Sequence, residues 1–345
     1  MNAIAKFFQL EQAGSNIKTE VRGGATTFMT MAYIIFFQPV LLANAGMDAD
    51  AVMMATCISS AIACVLMALF ANYPIALAPA MGHNVFFVYG VVRAGQATWE
   101  VALGAIAVSG VIFTLLACVG FREKVVNSIP ESLKNAIAAG IGLLIAFVGL
   151  QWSGIVRPNP VVCVDLGDLR SPPVLLALFG LVLTGGLMAL RVKGALLIGI
   201  LVTAIAGLPL GLTKYPGGWP VTASAIPHIS NTFLKFDPLG AIRLEHLDII
   251  FVFFFLMLFD TVGTLVGVAQ QAGFMVNGKL PKAERALLAD ALGTIQGAAL
   301  GTSTVTCYIE SAAGVAEGAR TGLANLVTAA LFILAIFFSP IVRMV

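Results

Sequence analysis

The chain has 345 residues, of which 59% are hydrophobic and 10% charged, and its mean hydropathy of +0.97 excludes an ordinary soluble domain. A net charge of +2 with no basic patch leaves no case for nucleic acid as a partner. The apolar runs are long enough to span as helices and lack the roughly ten-residue alternation of outer-membrane strands, so the predicted class is an all-α polytopic membrane protein in a lipid bilayer.

Residues 1–24 contain no compact apolar core ahead of a small-residue cleavage site, so they read as a cytoplasmic segment and not a cleaved signal peptide. Span 1 is predicted over residues 25–43 and span 2 over 51–71. The next stretch, ANYPIALAPAMGHNVFFVYGVV, breaks the pattern: Pro74 and Pro79 remove helix hydrogen bonds, and Gly82, His83 and Asn84 interrupt the apolar run. Span 3 is therefore expected to be discontinuous. Span 4 follows near residues 100–119, span 5 near 133–150, span 6 near 173–190 and span 7 near 194–210. Residues 211–247, polar and rich in Pro, Gly and Trp, read as an external loop between a first half (25–210) and a second (248–345).

The second half opens with FVFFFLMLFDTVGTLVGVAQ, which places Asp260 inside span 8. Span 9 is predicted over 286–300, an interrupted span 10 (ALGTSTVTCYIES) carries Glu310, and span 11 covers 323–338. On this count, 12 of the Lys and Arg residues fall on the side of the N-terminus and 7 on the other, which makes the N-terminus cytoplasmic and the membrane that of the cell. The five cysteines are scattered without metal-ligand spacing, so neither a disulfide nor a metal is expected.

Two intramembrane carboxylates, Asp260 and Glu310, dominate the functional reading, because an acid held in hydrocarbon costs several kcal/mol and normally faces a cavity, a partner or a transport path. Spans 3 and 10 are both broken, and matching them pairs span 1 with span 8. That shift of seven spans is odd, so the halves would run in opposite directions, the inverted-repeat arrangement of many transporters. Plainer roles exist for each residue. Glu310 could cap its half-helix, Asp260 could serve the hydroxyls of Thr261 and Thr264, Asn84 could satisfy broken backbone, and His83 could be a satisfied histidine. Arg320 is most simply a topology determinant.

The segments TTFMTMAYIIF, ANYPIALAPAMGHNVFF, LFDTVGTLVGVA and STVTCYIESAAGVAEGARTGL together resemble the AzgA-like purine permeases, a branch of the nucleobase transporter superfamily. The resemblance implies fourteen spans in two inverted repeats of seven, with spans 3 and 10 each supplying a short strand and a half-helix between a core and a gate domain. With the chain ending at Val345, about 11 of those spans are expected here and the second repeat is incomplete. It also implies proton-coupled uptake of hypoxanthine, guanine or adenine, with no cofactor, with Na⁺ as the alternative coupling ion, and with a homodimer as one assembly the family allows. Carried over by motif, the substrate residues are Asp260, Glu310, Asn84, Thr264 and Tyr308; two carboxylates facing one pocket also suit proton coupling, which makes Asp260 and Glu310 the proton-coupling residues. Three positions depart from the pattern: Met257 stands where a further acid is common, Ala80 where a glycine is usual, and His83 where an apolar residue is frequent.

The chemistry agrees with this resemblance. A purine is a flat ring whose edge offers N–H donors, and a carboxylate accepts two such bonds side by side. Competing readings are an anion transporter or channel of the same fold and a membrane-embedded enzyme using the two acids. No HExxH or nucleophile elbow supports the enzyme, so no catalytic residue is assigned, and an acid beside a half-helix argues against anions.

Overall fold

The computed structural model describes residues 3–118, 131–160, 162–192, 194–213, 228–276 and 280–339. Among these, five helical stretches are long and apolar enough to cross a membrane: Ile17–Ala43, Ala49–Phe70, Trp99–Ala117, Pro172–Ala189 and Leu244–Gln271. Shorter apolar helices include Ala195–Gly207 and Leu323–Phe338. With the family findings below, this composition makes the chain an integral membrane protein.

The first stretch begins earlier than its apolar run. Its helix starts at Ile17, because Asn16 accepts the Thr19 amide at 3.0 Å and Glu20, fully buried, accepts the amides of Arg320 at 2.9 Å and Thr321 at 3.3 Å. Polar residues here are satisfied by protein 300 positions away, which hydropathy cannot register. The stretch then breaks at Ala32 and Tyr33 and resumes as Ile34–Ala43, where Pro39 withholds an amide from the ladder. Arg320, expected to act through its charge alone, also turns its guanidinium onto the carbonyls of Val315 and Ala319, both at 2.8 Å.

Spans 3 and 10 are both broken, as the sequence predicts. Strand Leu77–Pro79 leads into helix Met81–Val85, continued by a π-helix over Phe86–Val92, and strand Val305–Cys307 leads into helix Ser311–Ala316. The two strands pair antiparallel with Leu77 opposite Cys307, Ala78 opposite Thr306 and Pro79 opposite Val305. All six residues are buried, so each strand satisfies the other's backbone where no water does.

Packing around this ribbon is reciprocal. Ala283–Leu300 packs on Trp99–Cys118, and Ala49–Phe70 packs on Leu323–Ala335. Each pair is the other with first-half and second-half helices exchanged, as expected of an internal two-fold relation passing through the ribbon. Small residues permit the close approach: a Cβ on Gly297 would lie 2.7 Å from the Ser303 carbonyl, and one on Gly23 would lie 2.5 Å from the Ala319 Cβ.

Two features were not legible beforehand. Between helices Glu131–Trp152 and Pro172–Ala189 lies a hairpin, Val156–Asn159 paired with Cys163–Leu166. The predicted external loop is partly structured: Asp237 caps Gly240 at 2.9 Å to start helix Pro238–Ala241, and the span-8 helix begins at Leu247. Residues 214–227 of that loop lie outside the described residues.

Candidate functional site

The break in span 1, the two strand-to-helix junctions and the middle of helix Leu247–Gln271 converge on one hollow of about 310 Å³. Its polar lining includes Tyr33, His83, Asp260, Thr264, Thr306, Tyr308 and Glu310, and Ile145 closes one side from helix Glu131–Trp152. Four of the five residues predicted to bind substrate, Asp260, Glu310, Thr264 and Tyr308, therefore share one cavity although they belong to two separate elements of the second half.

Glu310 sits at the junction before helix Ser311–Ala316, but its side chain does not cap that helix. Its Oε1 instead accepts the Tyr33 hydroxyl at 2.7 Å, and the carboxylate lines the hollow. Asp260, with its side chain 30% exposed, accepts the Thr306 hydroxyl at 3.0 Å. Thr306 lies on the strand of span 10, so the ribbon positions the span-8 acid directly. The sequence assigned that support to Thr264, which lines the hollow one turn beyond Asp260. The other hydroxyl considered for Asp260, that of Thr261, donates at 2.8 Å to Asp290.

Asn84 is placed differently from its expectation. It is fully buried, outside the hollow, and donates to the Gln38 side chain while accepting the Ser303 hydroxyl. Gln38 in turn donates to the Thr302 carbonyl at 2.6 Å, and Thr56 and Thr302 share a hydroxyl bond of 2.6 Å. The network holds the irregular approach to the second strand, where Ser303 adopts a φ of +82°. Asn84 thus ties the half-helix of span 3, through the side chains of Gln38 and Ser303, to the approach to the second strand. Tyr308 presents its ring to the hollow while its hydroxyl donates to the Pro79 carbonyl across the ribbon.

Three residues beyond the predicted set shape the site. Tyr33 was hidden because a tyrosine in an apolar run carries no marker of its own. Asp290, fully buried, accepts Thr261 at 2.8 Å and the Cys307 amide at 3.0 Å, tying span 9 to span 8 and to the strand. A lone acid in LLADALG was the signal that could have found it. His83 is buried at 1% exposure with Nδ1 3.7 Å from Asp260 Oδ2. The assembled chemistry is two hydroxyl-supported carboxylates and an imidazole around a hollow wide enough for a bicyclic ring.

The model of the Permease family, that of the xanthine/uracil permeases, matches residues 18–345. A guanine/hypoxanthine permease of Bacillus subtilis is 47% identical over 352 residues, covering 98% of this chain and 79% of that protein. An adenine permease of Escherichia coli is 41% identical over 343 residues, covering 99% of this chain and 76% of that protein. Among solved structures, the transmembrane domain of a cyanobacterium bicarbonate transporter, BicA, superposes with a TM-score of 0.66 at 16% identity, covering 95% of this chain and 84% of that one.

Proposed function

The chain belongs to the Permease family, is a transporter and not an enzyme, and from that premise we propose that it takes up purine nucleobases by proton symport with alternating access. The observation that carries the proposal is the convergence of Asp260 and Glu310 on one hollow of about 310 Å³. A neutral purine presents N–H donors along its edge. Glu310, fixed by Tyr33 at 2.7 Å, grips one edge with its carboxylate, and Asp260, fixed by Thr306 at 3.0 Å, contacts the opposite edge. Both hydroxyls donate, which suits carboxylates that accept. The coupling proton enters at this acidic pair, and base and proton leave together when the helices facing the hollow move apart. The N-terminus lies in the cytoplasm and the membrane is that of the cell.

The likeness to a bicarbonate transporter favours an anion as a second reading. Two acids lining the hollow weigh against it, since an anion would meet carboxylate where it needs a donor. Competition of labelled hypoxanthine uptake by guanine, adenine, xanthine, uracil and bicarbonate, with and without a protonophore, tests the proposal. Inhibition by purines alone, together with collapse of accumulation on adding the protonophore, is the expected result. Inhibition by bicarbonate alone would favour the anion.

A further inference from the structure

His83 lies in the short helix Met81–Val85, buried to 1% exposure and lining the hollow. Neither ring nitrogen makes a hydrogen bond of ordinary geometry, with the Leu256 carbonyl alongside and Asp260 Oδ2 3.7 Å from Nδ1. A buried polar group left unpaired costs about 1–3 kcal/mol, so an imidazole kept in this state beside a carboxylate is poised for a partner that arrives later. A displacement of less than about 1 Å would bring Nδ1 and Oδ2 to hydrogen-bonding distance.

We propose that the coupling proton entering beside Asp260 is held on His83, and that the imidazolium closes onto Asp260 Oδ2 while Oδ1 stays free to accept an N–H of the base. The inference rests on the nucleobase reading above. The balance is simple: a neutral imidazole has one N–H and one lone pair, a proton from solvent takes the lone pair, and the same proton returns to solvent on the other side. A proton placed on Asp260 would turn an acceptor into a donor and weaken its grip on the base edge; His83 takes the charge without that loss. Among the described residues, the titratable groups that line the hollow with it are Asp260, Glu310, Tyr33, Tyr308 and Cys307. On helix Glu131–Trp152 the residue lining the hollow is Ile145, roughly three turns from Lys134 and further from Glu131.

The test is initial-rate hypoxanthine uptake into proteoliposomes over a series from about pH 4 to 8. KM and maximal rate are separated for wild type, His83→Asn and His83→Leu, with and without an imposed proton gradient. The wild-type KM is expected to change by up to about tenfold per pH unit, the limit for one proton. In the variants KM is expected to be flat, accumulation driven by the gradient to be lost, and exchange of base for base to continue at a reduced rate, since His83 lines the hollow. Asn keeps a polar side chain of similar reach, so it covers the case in which Leu fails to fold. Gradient-driven accumulation with a wild-type pH profile in either variant overturns the role of His83, as does loss of exchange in both. Absence of any nucleobase transport by wild type overturns the underlying reading itself.

Discussion

Tyr33 and Glu310 meet at 2.7 Å although 277 positions separate them in the chain. The contact joins the break in span 1 to the junction of span 10, so the first half of the fold orients the acid of the second. Replacing Tyr33 with Phe removes the donor and leaves the ring. Because one hydrogen bond to a charged group is worth about 1.5–3 kcal/mol, KM for the preferred base is expected to rise by roughly ten- to a hundredfold with the amount of folded protein unchanged. Uptake kinetics normalised to protein in the membrane checks this.

Thr306 gives a second test, because its hydroxyl ties the ribbon to Asp260 at 3.0 Å. Thr306→Val conserves shape and loses the donor; Thr306→Ser keeps it. Uptake is expected to fall by roughly tenfold in the Val variant and to stay near wild type in the Ser variant. Equal loss in both would mean that strand packing, and not the hydroxyl, is what matters.

Asp290 is buried and holds Thr261 and the Cys307 amide, so its role is to fix the ribbon. Asp290→Ala strands both donors, at a cost of about 1–3 kcal/mol each. A lower unfolding temperature in detergent is expected, with reduced yield. An unchanged melting profile would contradict the assignment.

Asn84→Ala separates a scaffold role from a binding one. The buried network through Gln38 and Ser303 predicts loss of folded protein, while the surviving fraction keeps its ranking of purines in competition assays. A change of ranking at normal yield would return Asn84 to the substrate site.

Much of this was readable in one dimension. The acids of spans 8 and 10 announce themselves because lipid tolerates a carboxylate only for a purpose, and two prolines together with the β-branched run TSTVT mark the broken spans. Asp260 and Glu310 line the hollow for that reason, while Thr264 and Tyr308, which line it too, were pointed out by the family resemblance. What could not be read depends on pairing across the chain. Glu20 looks like solvent-exposed terminus until Arg320 and Thr321 are brought to it. Asn84 looks like a ligand residue until Ser303 and Gln38 occupy both ends of its amide. The Val156–Asn159 hairpin has no alternating pattern to betray it, and its second strand is exposed throughout.

The measurement that bears most directly on the central claim is proton-driven uptake of labelled hypoxanthine by Glu310→Gln and Asp260→Asn, side by side with wild type at equal membrane abundance. If the two acids hold one base, each variant loses accumulation by roughly a hundredfold or more, the scale expected when a charged partner is removed from a buried site. Wild-type, pH-dependent accumulation in both variants would contradict the account.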